Sequence, residues 1–376
     1  MKRILPAYPL WIIDPNFSIW SPCDELNGGD AMFWTGLSRR TYGFVHAKGK
    51  TYCFMGRRDG ALPLKQTDVS ISAFGTHYTF EGEGFKLKVD FVSPLPPNDL
   101  TRLSCPVCYT DYEAEFDGEV PSDFSVAIAL DEEYCYNNDR AQVVGGVLPL
   151  SGYEAAFMTR MRNLVMSNAD DIAAPDWGDT YLAGEESFFI TDAALNVYIT
   201  QGKAEYIRKE RERSYLFSVC RGNKGGFMTA FDDRVSIFYF GEWLKGYYFR
   251  GGKTVIDALD ESRADHDAII SSCASFDEKF RQDADRVGEG FYTLACASLR
   301  QSVGAHKLVE NASGKLLFLS KECDSNGCIG TADVSYPSIP LYLIYNPELV
   351  NAMMTGIFDF AKMPVWTFDF APHDVG

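Results

Sequence analysis

Residues 321–337, KECDSNGCIGTADVSYP, and the segment Phe368-Asp369-Phe370-Ala371-Pro372-His373-Asp374 crowd carboxylates, an imidazole and aromatic rings among turn-forming residues. Segments that build a core exclude such groups, so a proton-handling site is the natural reading. Asp333 follows the small residues Thr331-Ala332 and precedes a Tyr-Pro turn. It reads either as a catalytic or substrate-orienting carboxylate or as the cap of a following helix, because Asp accepts hydrogen bonds from free N–H groups at a helix start. His373 and Asp374 form a second candidate pair, the imidazole trading a proton and the acid holding a substrate amine; an Asx-turn after Pro372 is the bland alternative. Lys321 and Glu322 suit a substrate carboxylate and amine, or form a solvated ion pair worth little. Tyr336 and Trp366 are candidate pocket walls, although aromatic rings beside a Pro turn also serve a core.

The other histidines carry weaker signals. His46 and His77 fall in β-patterned stretches, His266 lies on a charged helical run and His306 near a helix end. None has metal-ligand spacing, so the expectation is no metal and no cofactor. Cys105-Pro106-Val107-Cys108 has the spacing of a redox or zinc motif, yet it sits in the alternating run LTRLSCPVCYTDYEAEF with no second ligand pair, which favours a buried strand. Cys323 and Cys328 flank a turn and would bridge only in an oxidising compartment. Two glycosylation sequons, at Asn16 and Asn311, carry little weight without a leader sequence.

These candidates must be held by two kinds of structure. Up to about residue 250, short runs rich in Tyr, Phe, Val, Ile and Thr are punctuated by turns such as Asn27-Gly28-Gly29-Asp30 and Gly82-Glu83-Gly84. Residues 67–80 read as one β run, and residues 85–92, FKLKVDFV, alternate strictly. No helix is expected among these strands, so a sandwich follows. Apolar spacing then turns helical over 253–281 and 291–309. Asn346-Pro347-Glu348 opens a further helix over 348–362, with Asn as cap and Pro in the first turn. That last helix is apolar around much of its circumference, and about three helices offer it few neighbours, so an incomplete helical domain is expected.

Composition bounds the function. With 46% hydrophobic residues the 376-residue chain has material for two or three domains. A net charge of −17 argues against nucleic acid or an anionic membrane as partner. No window approaches the ~20 apolar residues of a membrane span. The start MKRILPAYPLWIIDPNFSIW is broken by Pro6, Pro9 and Asp14 and does not read as a signal peptide. A cytoplasmic setting is expected, with export the alternative.

Several segments, in order, resemble the glutaminase A-type family. They are Ala7-Tyr8-Pro9-Leu10 with Asp14-Pro15-Asn16-Phe17-Ser18-Ile19-Trp20, Phe33-Trp34-Thr35-Gly36, Tyr52-Cys53-Phe54-Met55-Gly56, Asp176-Trp177-Gly178, Phe276-Asp277 and Arg300-Gln301. The most specific are Lys321-Glu322, Ser325-Asn326-Gly327, Thr331-Ala332-Asp333-Val334-Ser335-Tyr336-Pro337, Tyr345-Asn346-Pro347-Glu348-Leu349 and Ala371-Pro372-His373-Asp374. The resemblance implies a multidomain β + α chain: an N-terminal β-sandwich or supersandwich followed by the first helices of an (α/α) six-hairpin toroid. The expected divisions are residues 1–60 packing on the β-domain, 61–250 the sandwich, 251–285 a helical linker and 286–376 the start of the toroid. The family's toroid continues beyond the Ala-Pro-His-Asp segment, so an incomplete chain with low or no turnover of its own is expected.

What the resemblance implies chemically is hydrolysis of L-glutamine to L-glutamate and ammonia. Amide hydrolysis needs an activated water, a stabilised oxyanion and an acid for the leaving ammonia. The chain has no Gly-x-Ser-x-Gly, Ser-x-x-Lys or His-Glu-x-x-His signature, which leaves carboxylate chemistry. The same architecture serves glycoside hydrolases, whose paired carboxylates suit an oxocarbenium-like transition state, and a non-catalytic β-module is a third reading. The expected partner is a small molecule, an amino acid amide or a sugar. A sugar site would show two carboxylates across a Trp-lined cleft; an amino acid site would be a small pocket with charged ends.

Overall fold

The computed structural model describes residues 4–167, 174–288, 290–321 and 328–375. Strict alternation places the strands. Strand Phe85–Val92 buries Phe85, Leu87, Val89 and Phe91 and turns Lys86 and Lys88 to solvent. It lies within an antiparallel sheet of eight strands, ordered Val143–Leu150, Tyr153–Arg160, Asp179–Gly184, Lys224–Asp232, Val107–Phe116, Phe85–Val92, Gly75–Gly82 and Lys65–Ile71. The run expected over 67–80 is thus two strands of a hairpin rather than one. On the outer face charges alternate across strands, Lys88 opposite Glu113 and Glu113 opposite Lys224, the cross-strand pairing that stabilises a solvated sheet.

A second sheet of six strands runs Glu186–Thr191, Ser214–Arg221, Ser125–Asp131, Thr41–Ala47, Lys50–Met55 and Leu62–Pro63. It packs on the first through rings such as Tyr52 on Phe85 and Phe54 on Phe80, with centroids 5.8 and 5.7 Å apart. Its central strands, Ser125–Asp131 and Thr41–Ala47, are buried along their whole length, so the opposite face also needs cover. Helix Asp192–Gln201 supplies it, seating Leu195, Tyr198 and Ile199 against Tyr42, Phe44 and Phe217. Each such side chain contributes about 1.5–3 kcal/mol on burial. This helix corrects the expectation of a helix-free β region: tertiary cover of an apolar sheet decided a segment whose local pattern was ambiguous.

The N-terminal strand Tyr8–Asp14 is fully buried and pairs with Phe17–Ser21, which in turn pairs with Met32–Phe33. Asp14 Oδ1 accepts the Asn16 N–H at 2.8 Å and so shapes the turn between the first two strands. Trp11 anchors this small sheet to the large one, donating its indole N–H to Thr110 Oγ1 at 2.9 Å. Helix Phe291–Gly304 covers its other side.

Beyond the sandwich, the helical run over 253–281 is two helices, Val255–Ala264 and His266–Asp285, parted at Asp265. The run over 291–309 is corrected more sharply. Its helix ends at Gly304, and His306–Glu310 pairs with Leu316–Ser320 as a hairpin. Helix Pro347–Ala361 begins as expected, Asn346 Oδ1 accepting the Glu348 N–H at 3.2 Å; it packs on strand Leu316–Ser320 and on helix Ile339–Tyr345. A buried ion cluster ties these parts together: Lys307 Nζ donates to Asp14 at 2.5 Å and to Asp233 at 2.7 Å. Among the described residues no helix is long and apolar enough to cross a membrane.

Candidate functional site

Strand Leu316–Ser320 leads into Lys321, whose N–H donates to the Ala305 carbonyl at 2.9 Å, while the Gly330 N–H returns to the Ser320 carbonyl at 2.9 Å. Lys321 and the segment bearing Asp333 therefore leave from two stems held side by side. Thr331 caps the short helix Ala332–Ser335 by position, without a side-chain cap bond, and Asp333 is its second residue. Asp333 is thus not the cap, and its carboxylate is free to meet another group.

That group comes from the C-terminal segment. The Ala332 N–H donates to the His373 carbonyl at 2.8 Å, and the Val375 N–H donates to the Ile329 carbonyl at 3.1 Å. Val375 packs on the apolar cluster that includes Leu317 and Leu319, which pins the segment. The result sets His373 Nε2 3.1 Å from Asp333 Oδ1 and His373 Nδ1 2.9 Å from Asp374 Oδ2. The imidazole and the Asp333 carboxylate are well exposed, at 65% and 73%, so a solute can reach them. The Asp374 hydrogen bond, with help from the Asp333 charge, holds the His373 pKa above its ordinary value. With both ring nitrogens protonated, Nε2–H donates to Asp333 and Nδ1–H to Asp374. Such a cluster can accept a proton at the carboxylate and deliver one from the imidazolium.

The remaining candidates are dispersed around this cluster. Tyr336 is 73% exposed and lies one turn beyond Asp333, on the surface and outside any core. Trp366 joins a ring cluster with Phe360, Phe368 and Phe370 and donates its indole N–H to the Phe370 carbonyl at 2.7 Å. Glu322 and Cys323 lie outside the described residues. Lys321 lines a separate cavity of about 440 Å³, bounded by helix Phe291–Gly304 and by Trp20, Phe33 and Trp34 of the N-terminal segment. Those aromatic residues were visible in the sequence only as part of a family resemblance; no local spacing marked them as site residues.

The other histidines are held structurally. His306 is buried, its Nδ1–H donating to the Ser302 carbonyl at 2.7 Å, and burial pushes its pKa down to about 4. His266 sits 3.0 Å from Asp111 and docks its helix on the large sheet. Cys105 and Cys108 are both buried and free, at and just before strand Val107–Phe116. Burial raises the Cys108 thiol to about 12 and also raises that of Cys105, which makes both poor nucleophiles. Among the described residues no group of three or more His, Cys, Asp or Glu side chains could hold a metal ion.

Three successive segments of the chain match known families. Residues 288–376 match the glutaminase A six helical-hairpin domain. Residues 75–283, more than half of the chain, match a domain of unknown function (DUF5127), and residues 3–66 match another (DUF4964). Glutaminase A of Aspergillus oryzae is 24% identical across 99% of this chain, which spans 58% of that protein. A probable glutaminase of Arthroderma benhamiae is 21% identical, again across 99% of this chain, which spans 48% of it.

Proposed function

Because the chain belongs to the glutaminase A-type family, we propose that it serves the hydrolysis of a carboxamide, with L-glutamine the first substrate to test. The observation that carries this reading is the imidazole of His373 held between the carboxylates of Asp333 and Asp374 at 3.1 and 2.9 Å. Asp333 takes a proton from the attacking water, and the His373 imidazolium gives one to the departing ammonia. Asp374 fixes the ring orientation and raises the pKa of the imidazole. Seven buried cysteines among the described residues, from Cys53 to Cys296, stand as free thiols and support a reducing, cytoplasmic setting.

The test is ammonia release from L-glutamine by the protein, beside L-asparagine and nitrophenyl glycosides. Release from an amide and none of nitrophenol supports the reading. Nitrophenol release without ammonia overturns it in favour of glycoside hydrolysis.

A further inference from the structure

Arg300 lies in helix Phe291–Gly304 and is buried, 3% exposed, at the joint between that helix and the sandwich. Its guanidinium reaches across the joint. Nη1 donates to Thr76 Oγ1 at 2.9 Å and Nη2 to the Leu10 carbonyl at 3.4 Å. Both acceptors are neutral. A guanidinium carries five N–H donors, and the Arg300 Nε–H is buried without a partner.

Nor is its charge answered. Among the described residues no carboxylate pairs with Arg300; the acidic groups near enough to act on it are the Cys108 and Cys296 thiols and the Tyr78 phenol. Burial raises both thiols to about 12 and raises the phenol as well, so all three are neutral at ordinary pH. The same burial lowers the guanidinium to about 10, which still leaves it charged. The Tyr78 hydroxyl, two residues from Thr76 on the buried face of strand Gly75–Gly82, is a second buried group with no partner among the described residues.

Arg300 also lines a small cavity, together with Ser93 and the apolar side chains of Leu95, Leu299 and Val303. About 10 Å³ of it is open to the centre of a water-sized sphere, which is the room of one solvent-sized particle. Ser93 Oγ already accepts the Ile12 N–H at 2.9 Å. A water there would satisfy N–H groups but leave the charge unpaired, and an isolated buried charge is among the most costly things a core can hold. Apolar walls also reject a polyatomic anion, whose several oxygens would each need a donor.

We propose that this cavity binds one monovalent anion of halide size, with chloride the ion to test. The anion accepts the unspent guanidinium N–H groups and neutralises them. It thereby braces helix Phe291–Gly304 against strands Tyr8–Asp14 and Gly75–Gly82, the two elements that Arg300 already joins. This inference goes beyond the amide-hydrolysis reading and stands whether or not that reading holds.

The test is thermal unfolding of the protein in sodium chloride, in sodium bromide and in sodium gluconate, whose anion is too large for the cavity, at equal ionic strength. A ligand that binds only the folded state raises the midpoint by mass action, so about 0.2 M of either halide should place it about 2 °C or more above its value in gluconate. Crystals grown in sodium bromide should show an anomalous peak beside the Arg300 guanidinium at the bromine edge. Arg300→Met should abolish the difference between halide and gluconate. Equal midpoints in halide and gluconate, or no bromide beside Arg300, would mean that water alone fills the cavity and overturns the proposal even if the variant fails to fold. A folded Arg300→Met protein that keeps the halide difference overturns it too.

Discussion

His373 Nε2 and Asp333 Oδ1 stand 3.1 Å apart, although one residue closes the C-terminal segment and the other opens a short helix. The contact depends on a backbone bond, Ala332 N–H to the His373 carbonyl, that lays the two segments side by side. Neither side chain is buried, so the pair adds little to folding and its alteration leaves the scaffold intact. That separation of site from scaffold makes the cluster straightforward to test.

The protonation of His373 is the first consequence. Its pKa stands above the ordinary value, mainly through the Asp374 hydrogen bond and then the Asp333 charge. Asp374→Asn should move the imidazole titration, followed by proton NMR, down toward that ordinary value. The acid limb of any activity that uses the imidazolium should shift the same way. A titration unmoved by Asp374→Asn would contradict the contact.

Lys307 should matter far more to stability. Its ammonium neutralises Asp14 and Asp233, and all three side chains are nearly buried. Lys307→Met leaves two carboxylates uncompensated, and stripping one partner from a buried ion cluster costs about 3–5 kcal/mol. Urea denaturation should show a loss of that order; a change below about 1 kcal/mol, the value of an exposed pair, would mean water reaches the cluster.

His266 gives a pH-dependent term of opposite character. Asp111, then Asp267, outweigh burial and push its pKa up to about 9. A raised histidine stabilises the fold fully below its unfolded pKa, and the contribution is lost as pH climbs through the folded value. Stability attributable to this pair should therefore decline from about pH 6.5 to about pH 9. Asp111→Asn should flatten that part of the profile, measured as thermal midpoint against pH.

Gly304→Ala probes the joint between helix and N-terminal strand. Alanine would gain up to about 1 kcal/mol in helix propensity, but its Cβ would collide with Ile12 Cγ2. Overpacking costs about 1–3 kcal/mol, so a lower urea midpoint is expected; a rise would show that the joint is loose.

The strand Phe85–Val92 and the cap at Asn346 were legible because local pattern and tertiary role agree there. Helix Asp192–Gln201 was not, since the reason for it is the apolar outer face of a sheet built from strands elsewhere in the chain. The hairpin His306–Glu310 with Leu316–Ser320 was masked by apolar residues that continue the spacing of the preceding helix past Gly304. At the site, the sequence marked Asp333 and the pair His373-Asp374 separately. Their meeting rests on long-range backbone bonds that no spacing encodes. The aromatic cavity was less legible still, because its walls come from opposite ends of the chain.

The most direct measurement is ammonia release from L-glutamine by the unmodified protein and by the Asp333→Asn and His373→Gln variants, with circular dichroism as the folding control. Loss of a general acid or base costs about 10²–10⁴-fold in rate, and both variants should show a loss of that size with thermal midpoints unchanged. Folded variants that release ammonia at the unmodified rate would contradict the account.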